Sequence, residues 1–203
     1  MELVRLTAAQ ALVRFLSAQK KEDGEQIFEG VWAIFGHGNV AGLGEALYEF
    51  KDILPTFRGH NEQSMAHAAI AFAKQNRRKK MMAVTSSIGP GATNMVTAAA
   101  LAHVNRLPVL FIPADVFSNR EPDPVLQQIE SFSDGTASVN DCFRPVSRYF
   151  DRIQRPEQLL TALPRAMSVL TDASDCGPAT LAVCQDVQSQ SFDYPISFFE
   201  ERR

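Results

Sequence analysis

Apolar residues follow two patterns along the chain, short runs and stretches that repeat with the period of a helix. The runs predict six strands, because a strand buried on both faces is apolar at successive positions; they lie at 31–35, 55–58, 81–85, 108–113, 146–150 and 179–183. The repeats predict helices at 8–16, 43–50, 62–74, 95–102 and 156–170. Strands that alternate with helices indicate an α/β fold, with a six-stranded, mainly parallel sheet and helices on both faces.

Local signals refine this outline. Thr7 and Gln10 have the spacing of a capping box and predict the start of the first helix. Pro164 lies inside the last helix and predicts a bend or an interruption there. Residues 117 to 138 carry no regular pattern, and a connection of this length in a compact domain is more often functional than not. We predict one domain over residues 1–188 and a linker or tail toward downstream domains over 189–203.

One helix, which begins at Glu62, has an unusually small and apolar composition. One of its faces carries Met65, Ala66, Ala69, Ile70 and Ala73, and little polar surface remains on the other, so we predict a buried helix. A helix N-terminus favours a carboxylate anion, whereas apolar surroundings favour the protonated acid. Glu62 is therefore a candidate to exchange a proton with a ligand. The alternative is that it only stabilises its own helix end, as acidic first-turn residues commonly do.

Three loops are predicted to meet at one edge of the sheet. Open parallel sheets bind ligands outside the carboxyl ends of their strands. Those ends carry the Gly36-His37-Gly38-Asn39 turn, Glu62, and the Gly89-Pro90-Gly91-Ala92-Thr93-Asn94 loop. Glycines let a ligand approach the backbone, and asparagine side chains both donate and accept hydrogen bonds. Together these loops predict a ligand site.

Several other kinds of site lack their signatures. The Gly89-Pro90-Gly91 turn is followed by neither the Lys-Ser/Thr of a phosphate-binding loop nor the third glycine of a dinucleotide fingerprint. No serine lies in a Gly-x-Ser-x-Gly turn, which argues against a hydrolase triad. The four histidines have no metal-site spacing, so we predict no metal ligands in this chain.

Composition narrows the setting of the protein. The chain has 45% hydrophobic and 21% charged residues and no apolar run long enough to cross a bilayer. We therefore expect no membrane association. A formal charge of −3 offers no excess of positive charge, so we expect no nucleic-acid partner. The amino terminus has no basic-then-apolar leader, which argues against export. The three cysteines have neither metal-site nor Cys-x-x-Cys spacing, and reduced thiols fit a cytoplasmic location.

Two motifs and their order resemble a known family. The first is the strand that precedes the Glu62 helix, and the second is the loop Thr85-Ser86-Ser87-Ile88-Gly89-Pro90-Gly91-Ala92-Thr93-Asn94 with the alanine-rich helix after it. They resemble the pyrimidine-binding (PYR) domain of thiamine-diphosphate enzymes such as acetohydroxyacid synthase, over most of the chain. More narrowly, residues 34–44, 122–129 and 145–149 are similar to members of that family that open the ring of trihydroxycyclohexane-1,2-dione in myo-inositol breakdown.

The resemblance implies roles for the residues at this edge. Glu62 would be the catalytic carboxylate, hydrogen-bonded to N1' of the cofactor's aminopyrimidine, where it promotes the imino tautomer that takes a proton from the thiazolium ring. The pyrimidine and substrate side would be lined by Gly36, His37, Gly38, Asn39, Asn94 and Gln128. The complete enzyme would use thiamine diphosphate and Mg²⁺ to break a ring carbon–carbon bond of the cyclic dione, and water would release 5-deoxyglucuronate.

The other half of the family's site is absent from this sequence. In the family, Gly-Asp-Gly followed later by Asn holds magnesium and diphosphate, but Asp23-Gly24 and Asp134-Gly135 both lack the preceding glycine. The resemblance thus implies a partner, the diphosphate-binding domain of a neighbouring subunit, in a homodimer or larger oligomer. We expect the chain alone to bind no cofactor and to be inactive. The alternatives are the PYR domain of a synthase or decarboxylase, or a non-catalytic assembly module.

Overall fold

The computed structural model describes residues 2–200. Its strands are β1 (Leu3–Thr7), β2 (Phe28–Ala33), β3 (Thr56–Arg58), β4 (Met81–Ser86), β5 (Leu110–Asp115), β6 (Tyr149–Ile153), β7 (Ala179–Cys184) and β8 (Ser191–Pro195). Its α-helices are α1 (Ala8–Ser17), α2 (Glu45–Glu49), α3 (Glu62–Gln75), α4 (Pro90–Thr93), α5 (Val96–Asn105) and α6 (Leu159–Leu170). A π-helical turn, Val40–Gly44, leads into α2.

Six strands form one sheet in the order β3-β2-β4-β5-β7-β6, and every neighbouring pair is parallel. From β2 the chain crosses to β3 at one edge, and from β4 onward it builds the opposite side. The order therefore reverses between β2 and β4, and the carboxyl ends at such a reversal form a crevice in open α/β sheets. The predicted α/β fold with a parallel sheet is confirmed.

Helices cover both faces of the sheet, and each layer encloses its own apolar core. One core joins α1, α2 and α6 to the sheet. The other joins α3 and α5 to the opposite face, where Phe111 of β5 packs against Phe143 at a ring-centroid distance of 5.8 Å. Burial on both faces explains why the central strands are apolar at nearly every position. Within residues 2–200, no helix is both long and apolar enough to cross a bilayer.

Local predictions about helices have mixed outcomes. The capping box is confirmed, since Thr7 Oγ1 accepts from the Gln10 amide at 3.1 Å and Gln10 Oε1 accepts from the Thr7 amide at 3.0 Å. Of the predicted bend or interruption at Pro164, the interruption is wrong. Helix α6 continues through Pro164, because Leu163, Ala166 and Leu170 bury its inner face in the first core and hold the helix together despite the missing N–H group.

Two strands begin three residues away from their predicted starts. The strand predicted at 31–35 starts earlier, at Phe28, and ends at Ala33. The strand predicted at 146–150 is β6, which starts at Tyr149, because Val139–Val146 forms a 3₁₀ helix that buries Phe143. Apolar residues can mark either a buried strand or a buried short helix, and the run alone does not distinguish them.

Residues 189–203, predicted as a linker or tail, belong to the domain as far as the structure describes them. Strand β8 pairs antiparallel with β1 in a separate two-stranded sheet, with Leu3 opposite Pro195. Tyr194 is fully buried, and its hydroxyl donates to the Pro156 carbonyl at 2.9 Å. Phe198 also packs in the first core. These aromatic side chains keep this segment on the domain as far as residue 200, instead of leaving it at 189.

Candidate active site

Glu62 occupies the first turn of α3 at the carboxyl side of β3. Asn61 caps the helix, and its side-chain oxygen accepts from the Ser64 amide at 3.0 Å. The five residues predicted to share a face are the buried residues of α3. The opposite face is not covered, and Ala71 there is exposed. The expectation of a fully buried helix is therefore wrong, because α3 packs against the sheet and α5 on one side only.

Asn94 holds the Glu62 carboxylate. It ends the short helix α4, and its side-chain Nδ2 donates to Glu62 Oε2 at 2.9 Å. No side chain or backbone group in the described part of the chain donates a hydrogen bond to Oε1. A methyl group at Gly91 would lie 3.1 Å from that oxygen, so the missing side chain leaves space beside it. One carboxylate oxygen is thus fixed by the protein, and the other is available to a ligand.

The carboxylate lies in an open cleft of about 490 Å³ lined by Glu62, Pro90, Gly91, Thr93, Asn94 and Gln127. Gly89 precedes α4 with φ +65°, a conformation that favours glycine. A methyl group at Gly89 would collide with the carbonyl oxygen of Gln127, so the two backbones are in close contact. The long connection after β5 therefore forms one wall of the cleft, at Gln127.

The Gly36–Asn39 turn lies against the first residues of the loop that follows β4, Ser87 and Ile88. Methyl groups at Gly36 and Gly38 would collide with Ser87 Oγ and Ile88 Cγ2, each at 2.7 Å. Asn39 is only 1% exposed. Its Oδ1 accepts from the Gly36 amide at 2.9 Å, and its Nδ2 donates to Thr85 Oγ1 at 3.2 Å. Asn39 therefore holds the turn in shape, and its own polar atoms are occupied by the protein.

The two remaining predicted ligand contacts differ in their surroundings. Nε2 of His37 is buried and has no hydrogen-bond partner among residues 2–200. Gln128 is turned into its own loop, where Oε1 accepts from the Val125 amide at 2.9 Å. It is the neighbouring residue, Gln127, that lines the cleft. The predicted contact of Gln128 with a ligand stays a prediction.

The segment from Ser87 to Asn94 contacts both groups of predicted residues. Its first residues pack on Gly36 and Gly38, and its last residue bonds to Glu62. Within residues 2–200, the structure shows no hydrogen bond between the Gly36–Asn39 turn and Glu62. The site therefore extends along the carboxyl ends of β3, β2 and β4. The Glu62 carboxylate follows β3, and the glycine turn follows β2.

These residues fit an aminopyrimidine. A carboxylate with one fixed and one available oxygen can pair with a ring nitrogen, and Gly91 leaves room for a flat ring. In the part of the chain that the structure describes, no three His, Cys, Asp or Glu side chains cluster in a way that could hold a metal ion.

Comparison with known families identifies the family of this chain. Residues 6–135, more than half of the chain, match the family described as "Thiamine pyrophosphate enzyme, N-terminal TPP binding domain". The chain belongs to this family. The resemblance drawn from the Glu62 helix and the Thr85–Asn94 loop is thereby confirmed. Both segments lie inside the matched range, as does Gln128.

Curated relatives of this thiamine-diphosphate family domain share one name, 3D-(3,5/4)-trihydroxycyclohexane-1,2-dione hydrolase. The relative from Geobacillus thermodenitrificans is 57% identical over 205 residues, which covers 100% of this chain. A relative from Bacillus cereus is 56% identical over the same length, and one from Listeria monocytogenes is 52% identical over 202 residues. This chain spans 32% of the length of each, about one third.

A buried polar cluster beside the site was not predicted from the sequence. Asp115, at the end of β5, is 1% exposed and pairs with Arg152 of β6 at 3.1 Å. It also accepts from Ser138 Oγ at 2.7 Å and from Asn140 Nδ2 at 3.2 Å. Although burial lowers the pKa of Arg152, the Asp115 carboxylate raises it above its ordinary value. The cluster anchors the far end of the long connection. Its members are widely separated in sequence, so no local motif marks it.

Proposed function

We propose that this chain supplies the aminopyrimidine half of a thiamine-diphosphate site in an enzyme that hydrolyses a carbon–carbon bond of a cyclic dione. The observation that carries the proposal is the Glu62 carboxylate, fixed by Asn94 on Oε2 and open to the cleft on Oε1. The substrate class is supported by the shared name of relatives that are 52% to 57% identical to this chain. The product would be 5-deoxyglucuronate, from myo-inositol breakdown.

Glu62 acts in this proposal as the residue that holds a proton at a ring nitrogen, N1' of the aminopyrimidine. Its place at the helix N-terminus stabilises the carboxylate anion before the proton arrives. Asn94 fixes the plane of the carboxylate, so that Oε1 keeps one direction toward the ring. When bound, thiamine diphosphate supplies the nucleophilic carbon and the electron sink that carbon–carbon cleavage requires.

The glycine turn and the long connection complete the protein's part. Gly36 and Gly38 let the turn pack closely on Ser87 and Ile88, and the buried Nε2 of His37 has no partner among residues 2–200. Contacts of Gly36, His37 and Gly38 with the ligand are part of this proposal. Asn39 serves by holding this turn. The contact proposed for Gln128 has a second candidate beside it in Gln127, which lines the cleft. All of these residues orient and enclose the ligand, whereas Glu62 alone handles a proton.

The remainder of the site would come from another domain. We propose that Mg²⁺ and the diphosphate are held by a diphosphate-binding domain of a neighbouring subunit, in a homodimer or larger oligomer. Leu101 and Val104 on the open side of α5 support an interface, since Val104 is 74% exposed. The three free cysteines support a cytoplasmic location. Alone, the chain would be inactive.

The proposal can be tested with a joined enzyme. In this enzyme, the chain replaces the homologous third of the Geobacillus thermodenitrificans relative. The joined protein should convert the cyclic dione with thiamine diphosphate and Mg²⁺, and it should leave pyruvate unchanged. Turnover of pyruvate alone would assign the domain to a synthase or decarboxylase. A folded joined protein that binds the cofactor but turns over neither compound would overturn the enzymatic proposal. The unmodified relative is the control for the assay.

Calorimetric titration of the 203-residue protein tests the half-site directly. With thiamine diphosphate and Mg²⁺ we expect no measurable heat at ligand concentrations up to about 1 mM. The contact between the aminopyrimidine ring and Glu62 alone does not offset the free-energy cost of association. Tight binding that requires Mg²⁺ would mean that this chain holds the diphosphate itself. That result would contradict the assignment of the diphosphate to another domain.

A further inference from the structure

The long connection between β5 and the 3₁₀ helix at 139 is fixed at both ends. Near its start, the Ser118 amide and Oγ donate to the two carboxylate oxygens of Asp186 at 2.8 Å and 2.6 Å. At its end, Ser138 Oγ donates to Asp115 Oδ2 at 2.7 Å. The segment between these anchors lies beside the Glu62 cleft. Its shape therefore depends on contacts made inside the loop.

Arg120 makes the central contacts of this loop. Its guanidinium bonds to the Asp123 carboxylate through Nε, and its Nη1 donates to the Ala137 carbonyl at 3.0 Å and to the Gly135 carbonyl at 3.3 Å. The side chain of Arg120 is only 12% exposed, so water competes little for these bonds. One side chain thus ties the first part of the loop to its last part.

Asp123 is separated from the turn at 125–128 by Pro124 alone, so a fixed Asp123 also fixes where that turn begins. Burial alone would raise the pKa of Asp123, but the side-chain amide of Gln128 and the Arg120 guanidinium hold it below its usual range. Gln128 closes the turn on Val125, since Gln128 Oε1 accepts from the Val125 backbone amide at 2.9 Å and the Gln128 backbone amide donates to the Val125 carbonyl at 3.1 Å. Val125 and Gln128, which enclose Gln127 within the turn, are thereby held together.

Gln127 occupies the one strained position of that turn. Its φ is +64°, which a residue other than glycine adopts only when its surroundings enforce it. Its carbonyl oxygen lies against Gly89, and the residue lines the Glu62 cleft. The hydrogen bonds between Val125 and Gln128 close the turn around this position, and Arg120 bonds to Asp123 before the turn and to Ala137 after it.

We propose that Arg120 is a positioning residue, which holds Gln127 in the cleft so that Gln127 contacts the ligand bound at Glu62. The inference rests on the proposed function. Arg144 offers a matched control, because it pairs with an aspartate three residues away, Asp141, at 2.7 Å but is 59% exposed and contacts no part of the turn. Arg120 and Arg144 therefore share an ion pair with an aspartate three residues away, but only Arg120 also bonds to carbonyl groups at the end of the loop.

Amide hydrogen exchange in the 203-residue protein tests the positioning step. Arg120→Ala should speed exchange of the Asp123, Val125 and Gln128 amides about tenfold or more, because the loop would open locally more often. Amides of α3 should keep their rates, and Arg144→Ala should leave all of these rates unchanged. If Arg120→Ala does not fold, Arg120→Lys is measured, since lysine keeps one charge but lacks the planar fork. Unchanged exchange in the folded variant would overturn the proposal.

A double-mutant cycle in the joined enzyme tests the link to the ligand. Gln127→Ala should lower kcat/KM for the cyclic dione by about 10- to 100-fold, as expected for a misplaced contact. Arg120→Ala should cause a similar loss, and the double variant should be no worse than Gln127→Ala alone. Multiplied losses would mean that Arg120 acts by general stabilisation, which would contradict the inference.

The two proposals fail in different ways. If Glu62→Gln abolishes turnover while Gln127→Ala retains the parent kcat/KM, the proposed function stands and the role of Arg120 and Gln127 is wrong. If Glu62→Gln retains full turnover, the proposed function fails, and the exchange measurement still decides whether Arg120 orders the turn.

Discussion

Asn94 Nδ2 donates a hydrogen bond of 2.9 Å to Glu62 Oε2, across 32 positions of sequence. The bond joins the end of α4 to the start of α3, and so it links the loops that follow β4 and β3. It also divides the carboxylate into one oxygen held by the protein and one that faces the cleft. A carboxylate fixed in this way meets a ligand without first losing rotational freedom.

Replacing Asn94 by alanine removes this constraint. In the joined enzyme, Asn94→Ala should lower kcat/KM by about 10- to 100-fold, because the Glu62 carboxylate would rotate away from the ring nitrogen. Steady-state kinetics measure the loss, and circular dichroism checks the fold. The control is Asn105→Ala at the end of α5, where the lost amide bonds only to the Leu101 carbonyl. Equal activity of the two variants would show that the Asn94 bond has no part in catalysis.

Gly91 should be required for activity and not for folding. An alanine methyl group would lie 3.1 Å from Glu62 Oε1 and would push that oxygen from its position. Gly91 lies in α4 without a left-handed φ, so the backbone accepts alanine. We expect Gly91→Ala to raise the cofactor concentration for half-maximal activity about tenfold in the joined enzyme, with Tm retained.

The control for Gly91 is Gly135→Ala in the same enzyme. A methyl group at Gly135 meets no atom within 4 Å. The Gly135→Ala enzyme should need the same cofactor concentration for half-maximal activity as the parent enzyme. Should Gly91→Ala show parent values as well, Oε1 would not be the oxygen that faces the ligand.

Stability should fall at alkaline pH through Cys184. Burial, followed by the Asp115 carboxylate, raises the pKa of this thiol above its ordinary value of 9.0. The unfolded chain releases the proton first, so the contribution of Cys184 is complete below pH 9.0 and is lost as the pH rises beyond it. The free energy of unfolding should decline there by up to about 1.4 kcal/mol per pH unit from this group.

Urea unfolding at several pH values checks the titration of Cys184. Above pH 9.0, Cys184→Ala should make the free energy of unfolding decline less steeply with pH. This holds even if the substitution lowers the stability at neutral pH. Val183→Ala is the matched control, because Val183 is a buried neighbour on β7 without a titratable group. That variant should keep the parent slope. Parallel curves for Cys184→Ala and the parent would contradict the assignment.

The carboxyl-terminal aromatic cluster should contribute strongly to stability. Tyr194→Ala should lower the free energy of unfolding by about 3–5 kcal/mol, because it removes a fully buried ring and leaves a cavity. Denaturant titration of the 203-residue protein measures the change. Tyr48→Ala is the control, since Tyr48 is 71% exposed, and its effect should stay within about 0.5 kcal/mol. A comparable small effect at Tyr194 would mean that this segment is not part of the core.

Much of the fold was predictable because its signals are local. The buried face of α3 and the Thr7 capping box follow from spacing within one element, and both are confirmed. The carboxyl-terminal strand was missed because its partner lies 188 residues away, at β1, and its alternation is too short to stand out from a tail. Strand β6 was misplaced because the apolar residues before it belong to a short helix.

The candidate site was predictable in its residues but not in their orientation. Glu62 and Asn94 were each predicted, and the structure brings them together. Gln128 and Gln127 are adjacent, and which of them faces the cleft depends on the φ of +64° at Gln127. That angle occurs in a turn that the hydrogen bonds between Val125 and Gln128 close, within a loop whose ends are joined by Arg120. Sequence spacing carries no information about such a turn.

The most direct test of the central claim is the turnover of the cyclic dione by the joined enzyme that carries Glu62→Gln. Glutamine keeps the shape of the side chain but cannot take the proton, so the account predicts a loss of kcat of about 100- to 10,000-fold, with an unchanged fold. Glu45→Gln, at the first residue of α2, controls for removal of an acid from a helix start. Turnover of the Glu62→Gln enzyme within about threefold of the parent would contradict the account.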